Sequence, residues 1–161
     1  VSDRLASSYP DANSSPGLAL WRTTNAWQRQ VRAALSPHDL THTQYVLLAS
    51  LTWMDRSAPV SQRELADHAA LDVMMTSQVI RILEAKGYVR REPHPFDGRA
   101  FALEPTPTGI ELANRATIDV ETADTAFFEA LSPGATRAFV SALRDLASHR
   151  TDGGPRAHDG P

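Results

Sequence analysis

The 161-residue chain contains no cysteine. That absence removes disulfides, thiol-based redox sensing and thiolate metal sites together. No apolar run approaches the ~20 residues a helix needs to span a bilayer. The N-terminus shows no basic-then-apolar signal pattern, so a cytoplasmic protein without membrane contact is expected. Charge of one sign is also scarce. The formal net charge is −3 at pH 7, which by itself points to no nucleic-acid partner. Enzyme motifs are missing: there is no Gly-x-Ser-x-Gly turn, no phosphate-cradling glycine loop and no His-Glu-x-x-His. Paired acids such as Glu121 and Asp124 fall in a long helical stretch, where a solvated face explains them. Neither catalysis nor a cofactor is expected. With 42% hydrophobic and 22% charged residues, what remains is a globular chain long enough for one domain with its own core.

The informative stretch runs from Leu71 to Arg99. Asp72 can cap a helix, because its carboxylate accepts from the orphan amides of a first turn. Met75, Val79, Ile82 and Leu83 recur at spacings of three and four, which predicts one apolar face. Thr76, Ser77, Gln78 and Arg81 then fall mainly on the other faces, and these are residue types that hydrogen-bond base edges or phosphates. Gly87 can end the helix in the left-handed conformation. Two short strands, Tyr88–Arg91 and Ala100–Leu103, follow, joined by the proline-broken loop Glu92–Arg99. A polar-faced helix followed by a hairpin with an arginine at its tip predicts a winged helix. Between Met74 and Phe101, Arg81, Lys86, Arg90, Arg91 and Arg99 outnumber Glu84, Glu92 and Asp97, so the local charge is positive. Met74 and Met75 raise oxidation sensing, although packing beneath the helix is the simpler use of Met75.

Around this stretch the order of elements is regular. Residues 1–16 are rich in Ser, Asp, Asn and Pro without periodicity and read as a mobile arm. Leu20, Thr24, Trp27, Val31 and Leu35 form a helical stripe over about 17–35, with Trp21 alongside. Thr41 with Gln44, and Ser61 with Glu64, are two capping boxes, each opening a helix. The second of these helices is short and buries Leu65, Ala66 and Ala69. With the helix behind Asp72 it makes a helix-turn-helix. Thr106-Pro107 starts a long helix to about Leu131 with the stripe Ile110, Ala113, Thr117, Val120, Phe127 and Leu131. Ser132-Pro133 caps a last helix carrying Phe139, Leu143 and Leu146. A helix as long as the first of these two cannot bury its stripe on a small lobe, so a partner is expected. Residues 149–161 read as a flexible tail. The fold class is thus mainly α with a small two- or three-stranded antiparallel β wing.

In this order of elements the chain resembles the MarR (multiple antibiotic resistance regulator) family over about residues 17–148. The resemblance rests on Leu83-Glu84-x-x-Gly87-Tyr88-Val89-x-Arg91, on Asp97-Gly98-Arg99, and on Thr106-Pro107-Thr108-Gly109, which is similar to the family's Leu-Thr-x-x-Gly. It implies a homodimer built from helices at about 17–35 and 106–148, with a winged lobe at about 41–104. It also implies a double-stranded, pseudo-palindromic operator as partner, with helix 72–86 in the major groove and wing 92–99 in the minor groove. A small-molecule effector would release such a repressor. On this resemblance the base-reading positions are Thr76, Ser77 and Gln78, the wing arginine is Arg99, and Asp97 orients it. The chemistry suits those roles: Gln bonds adenine bidentately, Arg fits the narrow minor groove of A·T-rich DNA, and a carboxylate can fork a guanidinium. Met75 departs from a frequent small polar residue, and Gln78 from a frequent arginine.

Three further readings stay open at this level. The fold could serve protein contact without specific DNA binding. His38 and His42, four apart, could make a zinc-responsive regulator, although a solvated loop also explains them. Trp21, Trp27, Trp53 and Tyr45 could line a pocket for a small aromatic effector, or could be ordinary core.

Overall fold

The computed structural model describes residues 6–55 and 57–148. The tail 149–161, residues 1–5 of the N-terminal arm and the side chain of Arg99 lie outside the described residues. In chain order the elements are α1 (Pro16–Leu35), α2 (His42–Trp53), β1 (Val60–Ser61), α3 (Gln62–His68), α4 (Val73–Ala85), β2 (Val89–His94), β3 (Asp97–Pro105), α5 (Pro107–Phe128) and α6 (Pro133–Ser148). Contacts divide the chain into two compact units after Asp124. No helix among the described residues is long and apolar enough to cross a membrane.

Local chemistry starts each helix. Ser15 accepts from the Leu18 amide and Pro16 takes the first helical position of α1, where its missing N–H costs nothing. Just before it, the Asp11 carboxylate accepts from Asn13 N (2.8 Å) and Ser14 N (3.0 Å). The end of the expected mobile arm therefore forms a short 3₁₀ turn, Ala12–Ser14. Both capping boxes are made in full, at Thr41/Gln44 and Ser61/Glu64.

The core of the first unit gathers Leu47, Leu48 and Leu51 of α2, Leu65 of α3, and Ile80 and Leu83 of α4 onto Val89, Leu103 and Leu112. Each such side chain withdrawn from water stabilises the fold by roughly 1.5–3 kcal/mol. The α4 stripe is rotated from the expected one. Thr76, Ile80 and Leu83 are its buried residues, whereas Met75 and Ile82 are exposed. Packing of α4 against both α2 and α3 decides this, since a helix wedged between two neighbours buries the strip they share.

The sheet is antiparallel in the order β1-β3-β2. The third strand arises because Val60 pairs with Leu103 and Ser61 with Ala102. The wing is also tighter than expected. His94 pairs with Asp97, so the turn is only Pro95-Phe96, and most of the predicted loop Glu92–Arg99 is strand. Pro93 falls on β2, the edge strand, which is where a proline is tolerated in a sheet. The register slips after Pro93, from Pro93↔Phe101 to His94↔Asp97, so Gly98, Arg99 and Ala100 have no counterpart on β2. Such an irregularity re-aims the strand locally.

A compact joint ties α4, the wing and α5 together. Gly87, with φ +78, lets the chain leave α4. The Thr106 hydroxyl donates to Gly87 O (2.7 Å) and accepts from Gly109 N (3.0 Å), while Thr106 N donates to Tyr88 O (3.0 Å). Gly109 lies so close to the Tyr88 carbonyl that a β-carbon there would collide with it. The Thr-x-x-Gly spacing is thus the geometry of a helix start pressed onto a strand start. Helix α5 ends at Phe128, earlier than the expected Leu131, because Leu131 N bonds Phe128 O in a turn before Ser132 caps α6.

Candidate nucleic-acid interface

The helix-turn-helix is held by its turn. Ala70 takes a left-handed conformation, φ 52, and Leu71 N bonds back to Ala66 O at 2.9 Å. Asp72 caps α4 by accepting from Met75 N at 3.0 Å. Thr76 follows as a correction to the sequence reading. It is fully buried, and its hydroxyl donates to Asp72 O at 2.9 Å. With its side chain turned to the core and its donor engaged, Thr76 supports the start of the helix.

Gln78 and Arg81 lie on the exposed side, with Ser77 half-buried beside them. Met74 shares that side and is 73% exposed, and Met75 on its flank is 47% exposed. Sequence periodicity assigned Met75 to the core and placed Met74 on no face, oxidation sensing being the one use suggested for it.

Most of the local positive charge is pinned. Lys86 Nζ donates to the Asp39 backbone carbonyl and carboxylate, both at 2.8 Å. Arg90 pairs with Glu104 at 3.1 Å. Arg91 reaches Glu84 at 3.4 Å and lies 4.2 Å above the Phe101 ring, a cation–π contact joining both wing strands to the end of α4. Arg81 is an exposed cation with no partner among the described residues. Asp97 and Arg99 fall at the wing tip and in the irregular segment behind it. Arg63, exposed on α3, is a further cation that the sequence reading passed over.

The four aromatics considered for one effector pocket are distributed. Trp27 lines a cavity of about 510 Å³ with Arg32, His42, Val46, Ala69 and Leu71. Tyr45 and Trp53 border a separate groove of about 300 Å³ with Thr117 and Glu121. Trp21 is 66% exposed on α1 and lines neither. In the larger cavity Trp27 Nε1 donates to Asp124 Oδ1 at 2.7 Å, and the His42 ring stands edge-on to the indole at 5.1 Å. Burial holds His42 below its ordinary pKa, the Arg32 charge adds to this, and Asp124 opposes it. His38 is separate: its Nε2 lies 2.7 Å from Asp119 Oδ2. The two imidazoles whose spacing left a zinc pair open therefore serve different contacts. Among the described residues no cluster of three or more His, Asp or Glu side chains could hold a metal.

The sequence pattern of the MarR family matches residues 40–101. The HTH-type transcriptional regulator YdcH of Bacillus subtilis is 40% identical over 144 residues, spanning 89% of this chain and 97% of that protein. Rv2887 of Mycobacterium tuberculosis, a MarR family protein, has crystal structures with DNA and with salicylic acid. They are 32% and 34% identical to this chain, with TM-scores of 0.62 and 0.63. They cover 82% and 85% of this chain, and 97% and 98% of their own. CouR from Rhodococcus jostii, bound to p-coumaroyl-CoA, shares the fold at TM-score 0.76 and 23% identity, covering 86% of this chain and 96% of its own.

Proposed function

Because the chain belongs to the MarR family of winged helix-turn-helix transcription regulators, which are not enzymes, we propose that it is a homodimeric repressor that a small aromatic acid releases from a pseudo-palindromic operator. The outward side of α4 carries this reading. Gln78 and the unpartnered Arg81 stand opposite the buried strip of Thr76, Ile80 and Leu83. The N-terminal turns of a recognition helix meet base edges in the major groove. There Gln78 can bond adenine bidentately, while Ser77 and Arg81 serve bases or phosphates. Arg99 enters the minor groove from the wing, oriented by Asp97.

A second copy is the cover assigned to the exposed apolar residues Leu20 and Trp21 of α1 and Val140, Leu143 and Leu146 of α6. Pairing of two lobes about a two-fold axis matches a two-fold operator. The effector site is the cavity under Trp27. Its indole offers a face to an aromatic ring and Arg32 a cation to a carboxylate. Salicylic acid, bound by the 34% identical Rv2887, has that chemistry. Ala69 and Leu71, in the same cavity wall, immediately precede the Asp72 cap, so an occupant bears on the start of the recognition helix.

Selection of bound duplexes from a random pool, followed by anisotropy titrations at two salt concentrations with and without salicylate, tests this. The expected result is a two-fold symmetric site with half-sites about 34–36 Å apart, affinity that falls steeply with salt, and weakening by the ligand. Binding without sequence preference would overturn the operator reading and turn the search to a protein partner. A selected site indifferent to aromatic acids would overturn the effector alone.

A further inference from the structure

An exposed thioether at the centre of a DNA-facing helix side needs a chemical reason. Met74 is 73% exposed, although methionine normally fills cores. Spacings of four and seven align it with Gln78 and Arg81, and it stands about 200° of helix turn from buried Thr76. It is also the second residue of α4, next to the Asp72 cap, where a recognition helix comes nearest to base edges. From this placement we infer that Met74 reads the C5-methyl groups of thymines in the operator.

The chemistry of the groove selects this occupant. Base edges in the major groove present hydrogen-bond donors and acceptors, and one apolar group, the methyl of thymine. A thioether neither donates usefully nor accepts strongly, so a polar edge would gain nothing from it, whereas a methyl would be withdrawn from water. Three rotatable bonds let the side chain reach sideways along the groove. Gln78, one turn on, then has its own base, and a thymine partnered by Met74 beside an adenine partnered by Gln78 is the recognition pattern expected in each half-site. Met75, 47% exposed, borders the same contact. The inference rests on the regulator reading above and adds a specificity determinant to it.

The test uses the full chain and the selected operator, with each thymine replaced in turn by deoxyuridine, which lacks only the methyl. Loss of about three- to fivefold in affinity, the size of one buried methyl-sized group, is expected at one symmetric position per half-site. Met74→Ala should lose a similar factor on the thymine operator and become indifferent to uracil there, and Met74→Leu should restore the discrimination. Met74 is on the surface, so both variants should melt as the parent does. If the parent ignores uracil at every position, or Met74→Ala keeps the full discrimination, the methyl contact is wrong while the operator stands. Failure to select any site would overturn both.

Discussion

Thr76 and Gln78 lie two positions apart on α4 and face different neighbours. The Thr76 hydroxyl is enclosed and bonds Asp72 O, whose carbonyl also accepts from Thr76 N. Replacing it by valine leaves that carbonyl one partner, so Thr76→Val should cost about 1 kcal/mol of stability and leave operator preference unchanged. Gln78→Ala should do the reverse. It should keep the melting temperature and lose ~1–3 kcal/mol of discrimination at one base pair. Denaturant melts and titrations on mismatched operators separate the two, and a Thr76→Val variant that melts normally yet loses sequence preference would reverse the assignment. His42 supplies a pH test. Its folded pKa lies below the ordinary 6.5, so the unfolded chain binds its proton more readily. Stability from this residue is complete above about pH 6.5 and declines as pH falls below it. The melting temperature should therefore fall more between about pH 7.5 and 5.5 in the parent than in His42→Gln. Glu64, held low by the Ser61 bonds of its capping box, acts only at lower pH, as carboxylates of depressed pKa lose their contribution when protonated.

At the scale of elements, the joint between wing and long helix governs how α4 is carried. Thr106, Gly87, Tyr88 and Gly109 close a set of short contacts with no room for a methyl. Gly109→Ala must separate the start of α5 from β2. Overpacking of this kind costs about 1–3 kcal/mol. The expected outcome is a lower midpoint in urea together with weaker operator binding, because the wing and α4 share that joint. Unchanged stability would mean that the joint gives way easily. Elements with complete local signals were legible beforehand: both capping boxes, the Asp72 cap and the Gly87 stop all rest on residues within one turn of each other. The wing was legible as two strands but not in length. Pro93 and Pro95 argue for a loop locally, while pairing across to β3 extends the strand past Pro93.

For the whole molecule, the proposed assembly rests on the exposed apolar residues. Among the described residues none of helix α6 is buried, although Leu143 and Leu146 continue the spacing begun at Phe139. Leu143→Asp places a carboxylate where a partner's apolar surface is proposed. It should shift the protein from dimer to monomer in analytical ultracentrifugation and weaken operator binding with it. A variant that remains dimeric would move the interface elsewhere.

Sequence alone determined the order of elements, the helix starts, the winged class and the identity of the polar residues on α4. Those features depend on neighbours within a few positions, where capping, turn chemistry and periodicity act. Tertiary structure alone decided which strip of α4 is buried, and so exchanged Thr76 for Met74 on the outward side. It also paired three of the local cations with Asp39, Glu104 and Glu84, and sent Trp27 and Trp53 to different cavities. A helix of period 3.6 with apolar residues on more than one side has several ways to pack. The choice among them belongs to the helices and strands packed around it, which a periodicity read within one helix does not see.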